Sequence, residues 1–285
     1  MLLVNGVKLQ NVKPVSEIKE KRTYNNNYPT SRIVNGQIAN VGQFPYQVRL
    51  AICEIFECLF NERNCGGGII AKNWILTAAH CIYEDPKSKD SLIVYKIEAG
   101  SVKANEPRQQ IIVLKSFVFP HPDYNPDTAD NDIGLIKSPT DFDFSTPFIQ
   151  PAPLVAVKTD KESYVGQNLT VQGFGFTVPD SGIVSTELRF IHLEVYPLKK
   201  CQQIYKSMGI EEMPANSFCA DNPGPPRSIP CQGDSGSPVT LTINGTKTVV
   251  GVVSYAVGVL GCEGGPAGFS DVSTFIPWIE EMTRV

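Results

Sequence analysis

The stretch Cys231-Gln232-Gly233-Asp234-Ser235-Gly236-Ser237-Pro238 sets a serine hydroxyl among small and turn-forming residues, directly before the apolar run Val239–Thr242. Alone it reads as a loop feeding a strand, since glycine supplies backbone conformations that other residues resist. Working outward, Leu76-Thr77-Ala78-Ala79-His80-Cys81 sets a histidine after an apolar run. Asn131-Asp132-Ile133-Gly134-Leu135-Ile136 sets an aspartate before one. Taken singly, each has a bland reading: a loop serine, a structural histidine, a turn aspartate.

The texture around these segments is that of a β protein. Short runs rich in Val, Ile, Phe and Tyr recur between Gly, Pro, Asn and Asp. They lie at Tyr46–Ile52, Gly68–Ile70, Trp74–Thr77, Leu92–Glu98, Gln110–Val118, Asn168–Gly173, Leu188–Val195, Val239–Thr242 and Thr248–Ser254. Many short strands divided by turn signals predict an all-β sandwich or barrel. Helical spacing of Leu198, Cys201 and Ile204 predicts a helix over Pro197–Met208. A second is expected at Val272–Met282, with Asp271 or Ser273 as its cap.

Charge divides the chain. Residues 1–32 hold six Lys/Arg against Glu17 and Glu20; the remainder holds 19 basic and 27 acidic residues. A small basic leader, polar around Tyr24–Pro29 and read as flexible and exposed, thus precedes an acidic globular body. With net charge −4 and no basic run, no nucleic-acid partner is expected, and no stretch is apolar enough to span a membrane. Met1–Val4 is too short for the apolar core of a signal peptide, so either one has been trimmed or this is not the natural start. Secretion is inferred instead from eight cysteines without a Cys-x-x-Cys and from the sequons at Asn168 and Asn244. With only three histidines, disulfides are expected ahead of a metal site. Spacing alone leaves their pairing open.

Together the three segments resemble the trypsin/chymotrypsin family of serine proteases, over residues 33 to 285. The order His80, Asp132, Ser235 matches that family and not the α/β-hydrolases, whose Gly-x-Ser-x-Gly is broken here by Ser237. The resemblance implies two six-stranded antiparallel Greek-key barrels, an active site between them and a C-terminal helix. It implies Ser235 as nucleophile, His80 as base and Asp132 as the carboxylate that orients it, because a serine hydroxyl needs an adjacent base. The backbone N–H groups of Gly233 and Ser235 would form the oxyanion hole. Ser31-Arg32-Ile33-Val34-Asn35-Gly36 resembles the family's activation site: a cut after Arg32 by an Arg-specific protease frees the Ile33 amine to pair with Asp234. The resemblance also implies the disulfides Cys65–Cys81, Cys201–Cys219 and Cys231–Cys262. Cys53 and Cys58 are left to pair with each other, or to stay free or pair between molecules.

Specificity is read from the same alignment. Ile229 falls at the floor of the substrate pocket, with Ala256 and Ala267 in its walls, which predicts an apolar P1 residue such as Leu or Met. Ser254-Tyr255-Ala256 resembles the strand that pairs with an extended substrate, and the resemblance implies a hydrogen bond from Ser254 to Asp132. Gly261–Phe269 is similar to arthropod chymotrypsin/collagenase-type members, the brachyurins. Expected partners are polypeptide substrates, the activating protease and protein inhibitors; a monomer without metal or cofactor is expected. His121 and His192 are read as surface or structural groups. Ser237, where most active members carry glycine, leaves a rival reading open: a weak protease homologue that acts as a binding or inhibitory protein. A regulated cascade protease is a third.

Overall fold

Alternation of β-branched residues with small or polar ones builds most of this chain into strands. The structure, a computed structural model, describes residues 12–14, 36–55, 58, 62–84, 92–158, 160, 162–177, 183–222, 224, 228–257, 262 and 265–284. Fifteen strands form two antiparallel sheets among these residues.

The first sheet holds β3 (Gln47–Glu54), β4 (Arg63–Ala71), β5 (Trp74–Thr77), β6 (Ile93–Ala99), β7 (Gln109–Leu114), β8 (Val118–Pro120) and β9 (Gly134–Lys137). Its order is β7-β6-β3-β4-β5-β9-β8. Strand β3 is buried along seven of its eight residues. Val48, Leu50 and Ile52 line the core on one side. On the alternate positions the buried Arg49 guanidinium pairs with Glu98 at 2.8 Å and Glu62 at 3.0 Å. Each fully buried Leu or Ile here contributes about 1.5–3 kcal/mol.

The second sheet holds β10 (Asn168–Gly173), β11 (Arg189–Val195), β12 (Ser217–Asp221), β13 (Pro238–Ile243), β14 (Thr246–Val257) and β15 (Ala267–Asp271). They run β14-β13-β10-β11-β12-β15, and β14 pairs with β15 to close the ring. Two short strands join from outside: β2 (Gln37–Ile38) on β11 and β1 (Val12–Pro14) on β14. The second sheet is thus a closed six-stranded barrel with two short additions, and the first is a curled, barrel-like antiparallel sheet of seven strands. Strand β1 is a correction to the reading of the leader as wholly flexible.

Three α-helices complete the described fold: α1 (Ala79–Ile82), α2 (Leu198–Ser207) and α3 (Val272–Thr283). Asp271 caps α3 by accepting from the Ser273 N–H at 3.0 Å. Four disulfides, Cys53–Cys58, Cys65–Cys81, Cys201–Cys219 and Cys231–Cys262, cross-link the chain. The second closes 16 residues, worth roughly 3 kcal/mol by loop entropy. No helix among the described residues is long and apolar enough to cross a membrane.

Candidate active site

Strand pairing in the first barrel brings His80 and Asp132 together. Thr77, the last residue of β5, faces Gly134, the first of β9. His80 follows Thr77 by three residues and Asp132 precedes Gly134 by two, so both fall at one end of the sheet. The single turn α1 carries His80, anchored by the bond from Cys81 to Cys65 on β4. Asp132 accepts the His80 backbone N–H at 2.9 Å through Oδ1, and its Oδ2 lies 2.7 Å from His80 Nδ1. The carboxylate therefore holds the ring by both backbone and side chain, leaving Nε2 for a reaction partner.

The second barrel supplies the rest of Asp132's surroundings. Ser254 Oγ of β14 donates to Asp132 Oδ2 at 2.5 Å, and Ser270 Oγ of β15 donates to the Asp132 carbonyl at 2.6 Å. The Ser270 contact was not foreseen from sequence, because no local pattern aims a serine at an aspartate 138 residues away. Asp132 is 1 % exposed, so these donors replace the water it has lost.

Ser235 sits on the segment between Cys231 and β13, held from both barrels. Gly66 of β4 donates its N–H to the Ser235 carbonyl at 2.7 Å, while Gly236 donates to the Val253 carbonyl of β14 at 2.8 Å. Gly236 has φ +79°, and a Cβ there would lie 2.3 Å from Thr77 Oγ1. Gly233 has φ +93°. Among the described residues, the N–H groups of Gly233 and Ser235 donate to no protein acceptor. Such a pair can receive an oxyanion. Ser235 Oγ and His80 Nε2 are both buried without a hydrogen-bond partner.

Asp234 lies in the same turn, 0 % exposed, and accepts N–H bonds from Cys231 at 2.9 Å and Gly175 at 2.7 Å. Burial pushes its carboxyl up to about 6, the two N–H bonds only partly offsetting that. Gly173 and Gly175 make the cradle: a Cβ on Gly173 would fall 2.1 Å from Asp234 Oδ1. The spacing Gly173-x-Gly175 was the available sequence signal for this cradle, and it was missed. Arg32 and Ile33, the expected activation residues, lie outside the described residues.

Ser237 does not adopt a positive φ, so serine causes no backbone strain there. Its Oγ accepts from Gln47 Nε2 at 3.3 Å and occupies the space a Cβ on Gly66 would need. Ile229 is fully buried, grouped with Cys231, Cys262 and the half-buried Phe176. Ala256 and Ala267 face each other across β14 and β15. Tyr255, also fully buried, packs its ring over Gly268 and bonds Ser217 Oγ at 3.0 Å. The brachyurin-like segment is described only at Cys262 and from Gly265 onward.

Other sequence candidates fall elsewhere. Asn168 and Asn244 are exposed, at the start of β10 and in the β13–β14 turn. His121 packs against Phe275 and Trp278, and His192 contacts Thr170. Cys65, His80 and Cys81 cluster, but both sulfurs are spent in a disulfide and the imidazole is held by Asp132.

Two barrels that share a buried serine, histidine and aspartate at their seam define a serine endopeptidase acting on polypeptides. The chain belongs to the trypsin family, whose model, described as Trypsin, matches residues 33–279. It is 35 % identical to a collagenase of Hypoderma lineatum over 258 residues, covering 89 % of this chain and 88 % of that one. It is 28 % identical to serine proteinase stubble of Drosophila melanogaster over 90 % of this chain, but spans only 32 % of that protein. A solved structure of HL collagenase superposes with a TM-score of 0.72 at 30 % identity, covering 88 % of this chain and 99 % of the other. These likenesses agree with the resemblance to arthropod collagenase-type members.

Proposed function

We propose that this chain is the zymogen of a secreted serine endopeptidase that cuts after apolar residues. The observation that carries this reading is the pair of contacts from Asp132 to His80, 2.7 Å to Nδ1 and 2.9 Å to the backbone. They fix the imidazole with Nδ1 as donor and Nε2 as base. Ser235 Oγ attacks the substrate carbonyl and passes its proton to His80 Nε2. Asp132 stabilises the imidazolium, and the N–H groups of Gly233 and Ser235 hold the oxyanion. Collapse expels the amine, which takes the proton from Nε2 and leaves an acyl ester on Ser235. Water, deprotonated by the same nitrogen, then releases the acid.

Cleavage after Arg32 by an Arg-specific protease frees the Ile33 amine for Asp234. A buried carboxylate without a counter-charge is costly, and Asp234 meets only two backbone N–H groups among the described residues. In the mature protein Ile229 forms the floor of the specificity pocket and Ala256 and Ala267 narrow its walls, so Leu, Met and smaller side chains are preferred over Trp. An arginine there would leave its guanidinium desolvated and unpaired. Four disulfides and exposed sequons at Asn168 and Asn244 support an extracellular, glycosylated product, checked by protein inhibitors.

The test is to cleave at Arg32–Ile33, treat with a phosphonyl fluoride and profile P1 with a peptide library. Labelling at Ser235 and hydrolysis after apolar residues are expected. An unlabelled Ser235 would overturn the catalytic assignment, and a dominant Arg/Lys preference the pocket assignment.

A further inference from the structure

Strand β14 has two edges, and their occupants differ along its length. At Gly251 and Val252 both are filled, β13 on one side and β15 on the other. Strand β15 continues beside Tyr255 and Ala256. Strand β13 stops at Val252, because the chain preceding Pro238 turns away into the loop that carries Ser235. The edge that β13 vacates, from Tyr255 to Val257, therefore lies beside the nucleophile loop. Strand β1 from the leader occupies it.

The pairing is antiparallel: Val12 faces Val257, Lys13 faces Ala256 and Pro14 faces Tyr255. Increasing residue number in β1 thus runs toward Ser254, whose hydroxyl sits on Asp132 at 2.5 Å. On the resemblance of Ser254-Tyr255-Ala256 to the family's substrate-pairing strand, a peptide to be attacked by Ser235 would lay its N-terminal, acyl side along this edge in that same direction. Pro14 has no N–H, so its pair with Tyr255 is the non-hydrogen-bonded kind and Lys13–Ala256 is the hydrogen-bonded pair. Proline is tolerated because β1 is an edge strand. A second observation agrees. Ser235 is 0 % and His80 7 % exposed, and their reactive atoms are buried with no hydrogen-bond partner. A nucleophile that must meet a polypeptide carbonyl is closed off in this form.

We infer that Val12-Lys13-Pro14 is a built-in peptide ligand of the β14 edge, which excludes substrate from the uncut chain and, once released, inhibits the mature enzyme in trans. This rests on the proposed proteolytic activity and on the resemblance of Ser254-Tyr255-Ala256 to the strand that pairs with an extended substrate. The leader's charge favours docking: residues 1–32 carry four net positive charges and the remainder eight net negative. Tethering gives the segment an effective concentration of about millimolar, so weak intrinsic affinity suffices in cis. The same ligand implies that proline is accepted opposite Tyr255 in substrates.

The test has two arms. In the full chain carrying Ser235→Ala, amide hydrogen exchange at Ala256 is compared with and without Lys13→Pro, which removes the ladder N–H. Exchange at Ala256 should quicken at least about tenfold in the proline variant. Separately, a synthetic peptide of residues 10–17 at about 1–5 mM should raise KM of the cleaved enzyme about twofold or more with kcat unchanged, and the same peptide with Lys13→Pro should not. Equal exchange in the two chains overturns cis docking, and an unchanged KM overturns inhibition in trans. Should the cleaved enzyme prove inactive on every substrate, the proposed activity falls, and the exchange arm still decides the docking.

Discussion

Raising the pH should weaken the uncut chain through one residue, Asp234. Its carboxyl is pushed up to about 6 from an ordinary value of 3.8, chiefly by burial. At pH 8 the ionised form therefore costs about 3 kcal/mol relative to the unfolded chain, from about 1.4 kcal/mol for each unit. Because the folded value lies above the unfolded one, this contribution to stability is fully present below about pH 4 and lost as pH rises through 6. The perturbation is Asp234→Asn in the full chain, with Ser235→Ala in both proteins to prevent self-digestion. Thermal or urea unfolding is followed from pH 4 to 8 with disulfides intact. The Asp-minus-Asn difference should fall by about 3 kcal/mol across that range, or about 6–12 °C in Tm. A difference that is flat, or grows with pH, would refute the reasoning. Cleavage after Arg32 should reverse the slope, because the Ile33 amine would hold the carboxyl low and make ionisation favourable.

Other substitutions probe the remaining contacts. Ser254→Ala removes the 2.5 Å donor to Asp132 and should lower kcat about tenfold at unchanged KM, measured on a peptide amide. Ser237→Gly should leave kcat/KM within about twofold while costing about 0.5–1 kcal/mol in urea unfolding, since it gives up a bond to Gln47 and adds backbone entropy. Gly175→Ala places a Cβ 2.5 Å from the Asp234 carboxyl and should cost about 2 kcal/mol or more and abolish activation, read by active-site titration. Ile229→Asp should shift a P1 library profile toward Arg and Lys, and a retained apolar preference would move the pocket floor elsewhere.

Strands with β-branched residues between clear turn signals were legible to the residue, as at Trp74–Thr77 and Asn168–Gly173. Ser217–Asp221 and Ala267–Asp271 were not, because their Ser, Gly and Asp look like turn residues until the barrel buries them. Gln110–Val118 was read as one strand; a 3-10 turn at Lys115–Phe117 splits it. Val12–Pro14 could not be foreseen at all: a Lys-Pro pair has poor strand propensity, and only a vacant partner edge recruits it. At the site, His80, Asp132 and Ser235 stood out through their local motifs. The support around them, Ser270 on the Asp132 carbonyl and the glycine cradle of Asp234, depends on approaches across more than fifty residues of sequence that no local pattern encodes.

The two bonds that flank Ser235, from Gly66 in one barrel and to Val253 in the other, also make this loop a gauge of how the halves sit together. Loosening either barrel withdraws one support and lets the hydroxyl drift before the rest of the fold gives way. Reactivity should then vanish at milder heat or denaturant than the bulk spectroscopic transition, so that an ageing sample falls silent while it still looks native. Neither half could be inherited, grafted or expressed by itself as a working unit.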